Sequence, residues 1–422
     1  MAKVYRQELI KHFFSKSFES YIETFAISLK VLDAKIERLV DSSETKGTLK
    51  DIKPTISTLV LDSIGDNFFS MKFNAQSNGE PTFITSLEFL MSEANMLMIE
   101  EWKTISNSCV INNFCFLIYA AFWKVPTLFK SIISFKFSML RLVLQQYWKV
   151  YKQKQNSKNG NFCPFSLMET IVHRRISAAF SRGLSLWSPL TFYTEFKEAY
   201  WHQSMFMIAG HQTTSMALTW ALYYLCKHEQ TKQKLQTEVD DFLKDSPPMT
   251  KVFTSKSALR YLEAVLRETL RLAPAAPYLG RKAAADVTFS VSSVDSTEEP
   301  DQLITIPAGT NVVVMAQYMH YSERYYRDAG SFIPERWLKT EAQNENRKKN
   351  SASTPTTSCY FSFSAGNRAC FGEKYAMLQM KLTLLSICRK YDFTFAYPDT
   401  VCEPSHHLAQ RPARFAIKFS RR

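Results

Sequence analysis

The chain has 422 residues, 45% of them hydrophobic and 14% aromatic, enough to bury a large core and too apolar for global disorder. A formal net charge of +13 raises nucleic acid or an acidic protein as partners, but the basic residues read as scattered rather than interleaved with an aromatic platform, which argues against nucleic acid. Eight cysteines without a Cys-x-x-Cys pair exclude a zinc ribbon and a compact disulfide scaffold, and fit reducing surroundings.

The amino terminus, from Met1 to Ile10, holds no apolar run of the signal-peptide or anchor type. Apolar positions recur at helical spacing over residues 5 to 40 (Leu9, Phe13, Phe14, Tyr21, Phe25, Leu29, Leu32), and the run from Thr58 to Phe69 repeats the habit; both predict core helices. The most apolar window, Cys109 to Trp123, contains Asn112 and Asn113 and is too short for an ordinary membrane span. A buried helix is expected there, with dipping into a membrane surface as the alternative. Pro126 to Lys154 predicts a helix mixing aromatic and basic residues, followed by a polar loop to Gly160. A long helix is expected from about 195 to 227, interrupted only by Gly210, and an amphipathic one from Gln230 to Leu243, stopping before Pro247 and Pro248. After Arg271 the pattern changes: Val287 to Val291 and Gln302 to Ile306 read as short strands around a turn. A polar loop at about 340–358 is expected to be solvated. The fold class is mainly α with small β-sheets, in a single domain over 1–422.

The chemistry gathers in the stretch Phe363 to Gly372, where Cys370 lies between Gly366 and Gly372, with Arg368 two residues before it. Glycines let the backbone curl around the sulfur and approach a flat ligand closely. Amides opening the helix from Glu373 onward favour an ionised thiol. A sheltered thiolate is a nucleophile or a metal ligand. Arg368 favours the second, because a cation beside the sulfur suits a cofactor carrying carboxylates, such as haem with its propionates. A structural cysteine in a glycine-containing turn is the bland alternative.

This segment resembles the haem-binding loop of the cytochrome P-450 family, Phe-x-x-Gly-x-Arg-x-Cys-x-Gly, and Phe363, Gly366, Arg368, Cys370 and Gly372 fill all five fixed places. Chance would produce such a match in roughly one chain of this length in ten thousand. The resemblance implies a haem-thiolate monooxygenase: heme b as cofactor, Cys370 as the metal ligand, and Arg368, Phe363 and Gly366 as cofactor-binding residues. The segment Ala209-Gly210-His211-Gln212-Thr213-Thr214 resembles the family's oxygen-binding Ala-Gly-x-Asp/Glu-Thr-Thr. Ala209 and Gly210 would give room beside the haem, Thr213 would assist oxygen activation, and Gln212 stands where an acid is usual. An amide orients water but cannot relay a proton by ionising.

The resemblance extends further. Glu268 and Arg271, three apart, share a helix face and can pair; with Arg336 they would form the family's buried structural triad. His320, Asp328 and Phe332 keep their places, whereas Glu323 and Ala329 stand where prolines are usual, so a looser loop is expected. Arg281, seven residues beyond Pro274, is where relatives place a cation against a propionate. Ala275 to Leu279, Phe206 and Met207 would line an apolar substrate cavity.

The implied reaction puts one atom of dioxygen into an apolar organic substrate, with electrons ultimately from NADPH through an acidic reductase. Arg347, Lys348, Lys349 and Lys374 are the candidate docking cations. The resemblance allows membrane association and an endoplasmic reticulum location. No anchor is expected within these residues, and a cytoplasmic location is the other expectation. Lys3 and Gln7 occupy places where relatives carry a haem-contacting Trp and Arg, and the anchor and first strands would precede Met1, so an N-terminally truncated version of the fold is expected. A haem-thiolate isomerase or dehydratase and a non-catalytic haem-binding remnant are the alternatives.

Overall fold

The computed structural model describes residues 18–79, 81, 138, 140–150, 152, 172, 189–255, 257–291, 302–338, 359–398, 400, 404–406, 410–412 and 415–422. Lys3, Gln7, the Cys109 to Trp123 window and the polar loop at 340–358 lie outside these residues.

Six helices carry most of the core. α1 (Phe18–Asp41) buries Tyr21, Phe25, Leu32 and Ile36 on one stripe, the spacing of an amphipathic helix. α2 (Lys53–Ile64) starts with Pro54 in its first turn, and the Asp51 carboxylate accepts the Lys53 N–H at 3.1 Å. Pro is at home there because its missing N–H would have lacked an intrahelical partner anyway. From Thr55 to Ile64 all but one side chain of α2 are buried, so it is a central helix rather than a surface one. It runs into a π-helical turn, Gly65–Phe69. A Cβ at Gly65 would fall 2.4 Å from the Phe73 ring and 2.6 Å from the Met71 carbonyl oxygen, which fixes glycine at this position.

α3 (Pro189–Lys227) packs along α2 and is continuous through Gly210, where an interruption was expected. The physical reason is that Gly210 faces a neighbour. A Cβ there would lie 3.1 Å from Ile64 Cδ1, so the missing side chain lets the two helices approach, and the packing offsets glycine's poor helix propensity. α4 (Glu229–Leu243) buries Leu235 and Val239. It also buries the Lys232 ammonium, held by Asp392 at 2.7 Å, Glu229 at 2.8 Å and the Phe393 carbonyl at 2.7 Å. α5 (Arg260–Leu272) and α6 (Glu373–Lys390) complete the helical body.

The strands are short. β1 (Thr48–Leu49), β9 (Ile417–Arg421) and β6 (Tyr391–Phe395) form an antiparallel sheet in the order β1-β9-β6. β2 (Tyr278–Lys282) pairs antiparallel with β5 (Asn311–Met315), setting Arg281 opposite Val312. β3 (Val287–Val291) pairs with β4 (Gln302–Ile306) as the alternation predicts, and β7 (Pro404–His406) with β8 (Gln410–Pro412). Among the residues predicted helical between Pro126 and Lys154, those described are helical. The architecture is mainly α with small sheets.

Candidate active site

α5 positions the site. Glu268 and Arg271 lie on its buried face, both with fully buried side chains. Arg271 donates to both carboxylate oxygens of Glu268 at 2.9 Å. Arg336, from the 3-10 turn Pro334–Trp337, donates to Glu268 Oε1 at 2.9 Å. The Ile333 N–H and the Trp337 indole N–H add two more donors at 2.9 Å. Five donors on one carboxylate satisfy a buried charge that would otherwise be prohibitively costly. The Arg271 guanidinium spends its remaining protons on the carbonyls of His320 (2.6 Å), Ala329 (2.6 Å) and Ser331 (3.0 Å). It also lies 5.0 Å from the Tyr326 ring centre. Glu268, Arg271 and Arg336 thus form the expected triad.

The loop expected to be loose is tied down differently. Ala329 leaves an N–H where proline has none, and the Glu323 carboxylate accepts it at 2.8 Å. The two departures from the family pattern are coupled: one supplies the donor, the other the acceptor.

His320 carries the order of α5 to the cysteine loop. Its Nδ1 donates to the Arg271 carbonyl at 3.0 Å and its Nε2 accepts the Phe361 N–H at 2.9 Å. Burial pushes the imidazole down to about 4, so it is neutral, as both bonds require. Ser362 Oγ donates to the Leu270 carbonyl at 2.9 Å. Beyond these anchors the loop turns sharply. Ser364 and Gly366 have φ of 61° and 65°, and the Cys370 N–H donates to the Phe363 carbonyl at 2.8 Å. Gly366 supplies the left-handed turn for which glycine is suited. Gly372 is the residue before α6, with φ −86°, and a Cβ there would sit 3.8 Å from the Cys370 sulfur. A Cβ there would make only an ordinary contact with the sulfur, and the backbone angle is one any residue adopts.

Cys370 opens onto a cavity of about 250 Å³. Ala209, Gly210, Thr213, Phe363, Arg368 and Cys370 all line it, from two separate elements. Thr213 Oγ1 donates to the Ala209 carbonyl at 2.5 Å, which leaves the hydroxyl lone pairs to accept from a partner in the cavity. Gln212 is buried and stands off the cavity wall. Arg281 also stands off it, but donates to Ser364 Oγ at 3.0 Å, and Ser364 lines the cavity. Of the predicted substrate-facing residues, Ala275, Ala276, Leu279 and Phe206 line it, whereas Met207 is buried in the core and Tyr278 is exposed.

Phe68 and Tyr375 are among the wall residues that escaped the sequence patterns. Phe68, in the π-helical turn after α2, lies 4.7 Å from the Tyr375 ring. The Tyr375 hydroxyl accepts from Asn67 Nδ2 at 3.0 Å. Glycine before two aromatics was the only hint of this turn, and π turns recur at functional sites. Elsewhere, burial pushes the thiols of Cys226 and Cys388 up to about 12, which makes them inert. Cys370 is the one cysteine on the cavity wall among the described residues.

The residues present fit a haem. A sulfur on the wall, an apolar lining, Arg368 beside it and Arg281 behind Ser364 suit an iron macrocycle with two carboxylates. In a fold of helices with small sheets organised by a buried Glu-Arg-Arg triad, a cysteine loop faces a long helix across an apolar cavity, the residue set a haem-thiolate site would use.

The comparisons place it more closely. The family model described as Cytochrome P450 matches residues 197–419. The chain is 25% identical over 399 residues to probable cytochrome P450 4d20 of Drosophila melanogaster, covering 92% of this chain and 69% of that protein. It is 24% identical over 410 residues to human cytochrome P450 4X1, covering 96% and 70%, and 32% identical over 189 residues to human cytochrome P450 3A5, covering 45% and 33%. The crystal structure of the cytochrome P450DA heme domain superposes with a TM-score of 0.66 at 20% identity, covering 98% of this chain and 74% of that one. The chain belongs to the cytochrome P450 family, and is a haem-dependent oxidoreductase of the monooxygenase class. No helix among the described residues is long and apolar enough to cross a membrane.

Proposed function

We propose that Cys370 would hold a heme b through its sulfur and that the cavity it faces oxidises a small lipophilic substrate with dioxygen. The observation that carries this reading is the sulfur's place on the wall of the cavity that Ala209, Gly210 and Thr213 also line. When bound, haem with a thiolate ligand supplies the electron push that cleaves the O–O bond, giving one oxygen atom to the substrate and one to water.

The chain's own residues do the rest. The N–H of Cys370, bonded to Phe363, and the left-handed turn at Gly366 hold the sulfur in place. Arg368 at the cavity and Arg281, anchored on Ser364, pair with the two propionates. Thr213 Oγ1, its own proton on the Ala209 carbonyl, accepts from a water and holds that proton where oxygen is reduced. Gln212 cannot ionise, so protons arrive through water and Thr213. Phe206, Ala275, Ala276 and Leu279 exclude bulk water and hold an apolar substrate.

Electrons come from an acidic reductase using NADPH, docking on the exposed cations near the cysteine loop. Lys374 is exposed there, while Arg347, Lys348 and Lys349 lie outside the described residues. The endoplasmic reticulum is the working location in this reading, supported by the family likeness. Titration with haem tests the reading. Uptake of one equivalent, followed by substrate oxidation that requires reductant, is expected. Turnover of a peroxide substrate without reductant would instead mark an isomerase or dehydratase, and failure to bind haem a non-catalytic remnant.

A further inference from the structure

A second cavity, of about 460 Å³, lies outside the catalytic one, and among the described residues none lines both. Three parts of the chain meet there. The last turns of α3 bring Trp220, Tyr224 and Lys227, the end of α5 brings Leu272, and the segment before the 3-10 turn brings Gly330 and Phe332. Trp220, Leu272 and Phe332 are buried, so the floor of this groove belongs to the core.

Its wall is a stack of rings. Phe332 lies on Tyr224 with ring centres 4.7 Å apart and planes 6° off parallel, and His228 covers Phe332 at 5.1 Å. Trp220 follows Tyr224 at 5.8 Å, 26° from parallel. A planar ring entering the groove meets faces and edges of its own kind, which adds to the gain from removing apolar area from water.

The charge on the wall has one sign. No aspartate or glutamate is among its described residues. Lys227 is exposed at the lip, and the nearest acid in sequence, Glu229, is held by the buried Lys232 at 2.8 Å. Burial and the Lys227 charge hold His228 below its usual 6.5, so at neutral pH that ring is uncharged and offers one N–H. The Tyr321 hydroxyl is spent on the Leu272 carbonyl at 3.1 Å. The groove therefore suits a flat apolar body carrying an anion at its outer end. A bare phosphate would answer Lys227 and leave the rings uncovered, and a neutral apolar molecule would do the reverse.

We propose that this groove binds a small aromatic carboxylate, with its ring against Tyr224 and Phe332 and its carboxylate on the Lys227 ammonium. The site backs onto the catalytic cavity: α3 lends Ala217 to one and Trp220 to the other, and α5 lends Leu270 and Leu272 in the same way. The assignment does not depend on the haem reading and is tested by binding alone.

The probe is 2-naphthoate, followed by equilibrium dialysis against the full chain, with 2-naphthamide as the neutral counterpart and acetate as the anion without a ring. One equivalent of 2-naphthoate should bind saturably, and acetate should not compete. The amide on the wild type, and 2-naphthoate on Lys227→Gln, should bind about fivefold more weakly, the upper range for an exposed ion pair. Lys251→Gln, at an exposed lysine off this wall, should change nothing. A Cβ at Gly330 meets no atom within 4 Å and the backbone there is outside the left-handed region. Gly330→Trp should therefore keep the unfolding midpoint and weaken binding about tenfold or more by occupying the space of the ring. Ala276→Trp, which fills the catalytic cavity instead, should leave binding as it is. Absence of saturable binding, equal affinity for acid and amide, or an unchanged affinity in Lys227→Gln would overturn the proposal. So would binding that is lost in Ala276→Trp and kept in Gly330→Trp, which would put the probe in the catalytic cavity.

Discussion

Replacing Glu268 by Gln exchanges one carboxylate oxygen for an NH₂ group and changes almost no volume, yet it strikes the point on which the cysteine loop hangs. The carboxylate accepts five hydrogen bonds, from Arg271 twice, Arg336, Ile333 and Trp337. A carboxamide offers one acceptor oxygen and turns an NH₂ group toward donors that have nowhere else to go. It also leaves the fully buried Arg271 guanidinium without its counter-charge. Removing one member of a buried ion pair costs about 3–5 kcal/mol, a large part of the about 5–15 kcal/mol that holds a typical domain. The assay is the denaturant midpoint of the purified protein, with haem retention read in parallel. Both should fall together, because Arg271 also fixes the His320 carbonyl and His320 holds Phe361. Arg336→Met should cost less, since its remaining donors go to the Arg327 and Asp328 carbonyls at the exposed rim. A loss below about 1 kcal/mol for Glu268→Gln would show that the pair is solvated or dispensable, and would refute this account of how α5 orders the loop.

Other outcomes follow from single atoms. The His320 imidazole has its folded pKa depressed to about 4 from 6.5 by burial. The unfolded chain therefore takes up the proton first: His320's contribution is complete above about pH 6.5 and is lost as pH falls toward about 4. At most about 3 kcal/mol is involved, and His320→Asn should flatten that part of the stability–pH curve. Gly366→Ala meets no atom within 4 Å but must hold φ at +65°, so the cost is about 1–2 kcal/mol of backbone strain, read as a lower unfolding midpoint and faster haem loss. Thr213→Val keeps the volume and removes the hydroxyl on the cavity wall. Product formation should fall at least about tenfold with haem content unchanged, and an unaltered rate would remove Thr213 from proton handling.

Much of this arrangement was legible in the residue order because it is local. The cysteine loop packs its chemistry into ten positions, and a Glu-x-x-Arg pair needs only one helical turn. The long helix also announced itself by periodicity, although Gly210 read as an interruption. That reading failed because a chain pattern cannot show that Ile64, far away in sequence, fills the space a side chain would take. Phe68 and the Asn67–Tyr375 bond were hidden for the same reason. A π turn has no period to detect, and its purpose lies in a contact 308 positions away. Glu323 and Ala329 read separately as departures that loosen a loop, and only the bond between them shows that they compensate.

The most direct measurement is the absorption spectrum of the reduced, haem-loaded protein under carbon monoxide, taken beside that of Cys370→Ser. Cys370 as the ligand predicts the strongly red-shifted Soret band of a thiolate-bound carbonyl complex in the wild type and its absence in the variant. A wild-type protein that takes up no haem, or the same band in both proteins, would contradict the assignment of the sulfur at position 370.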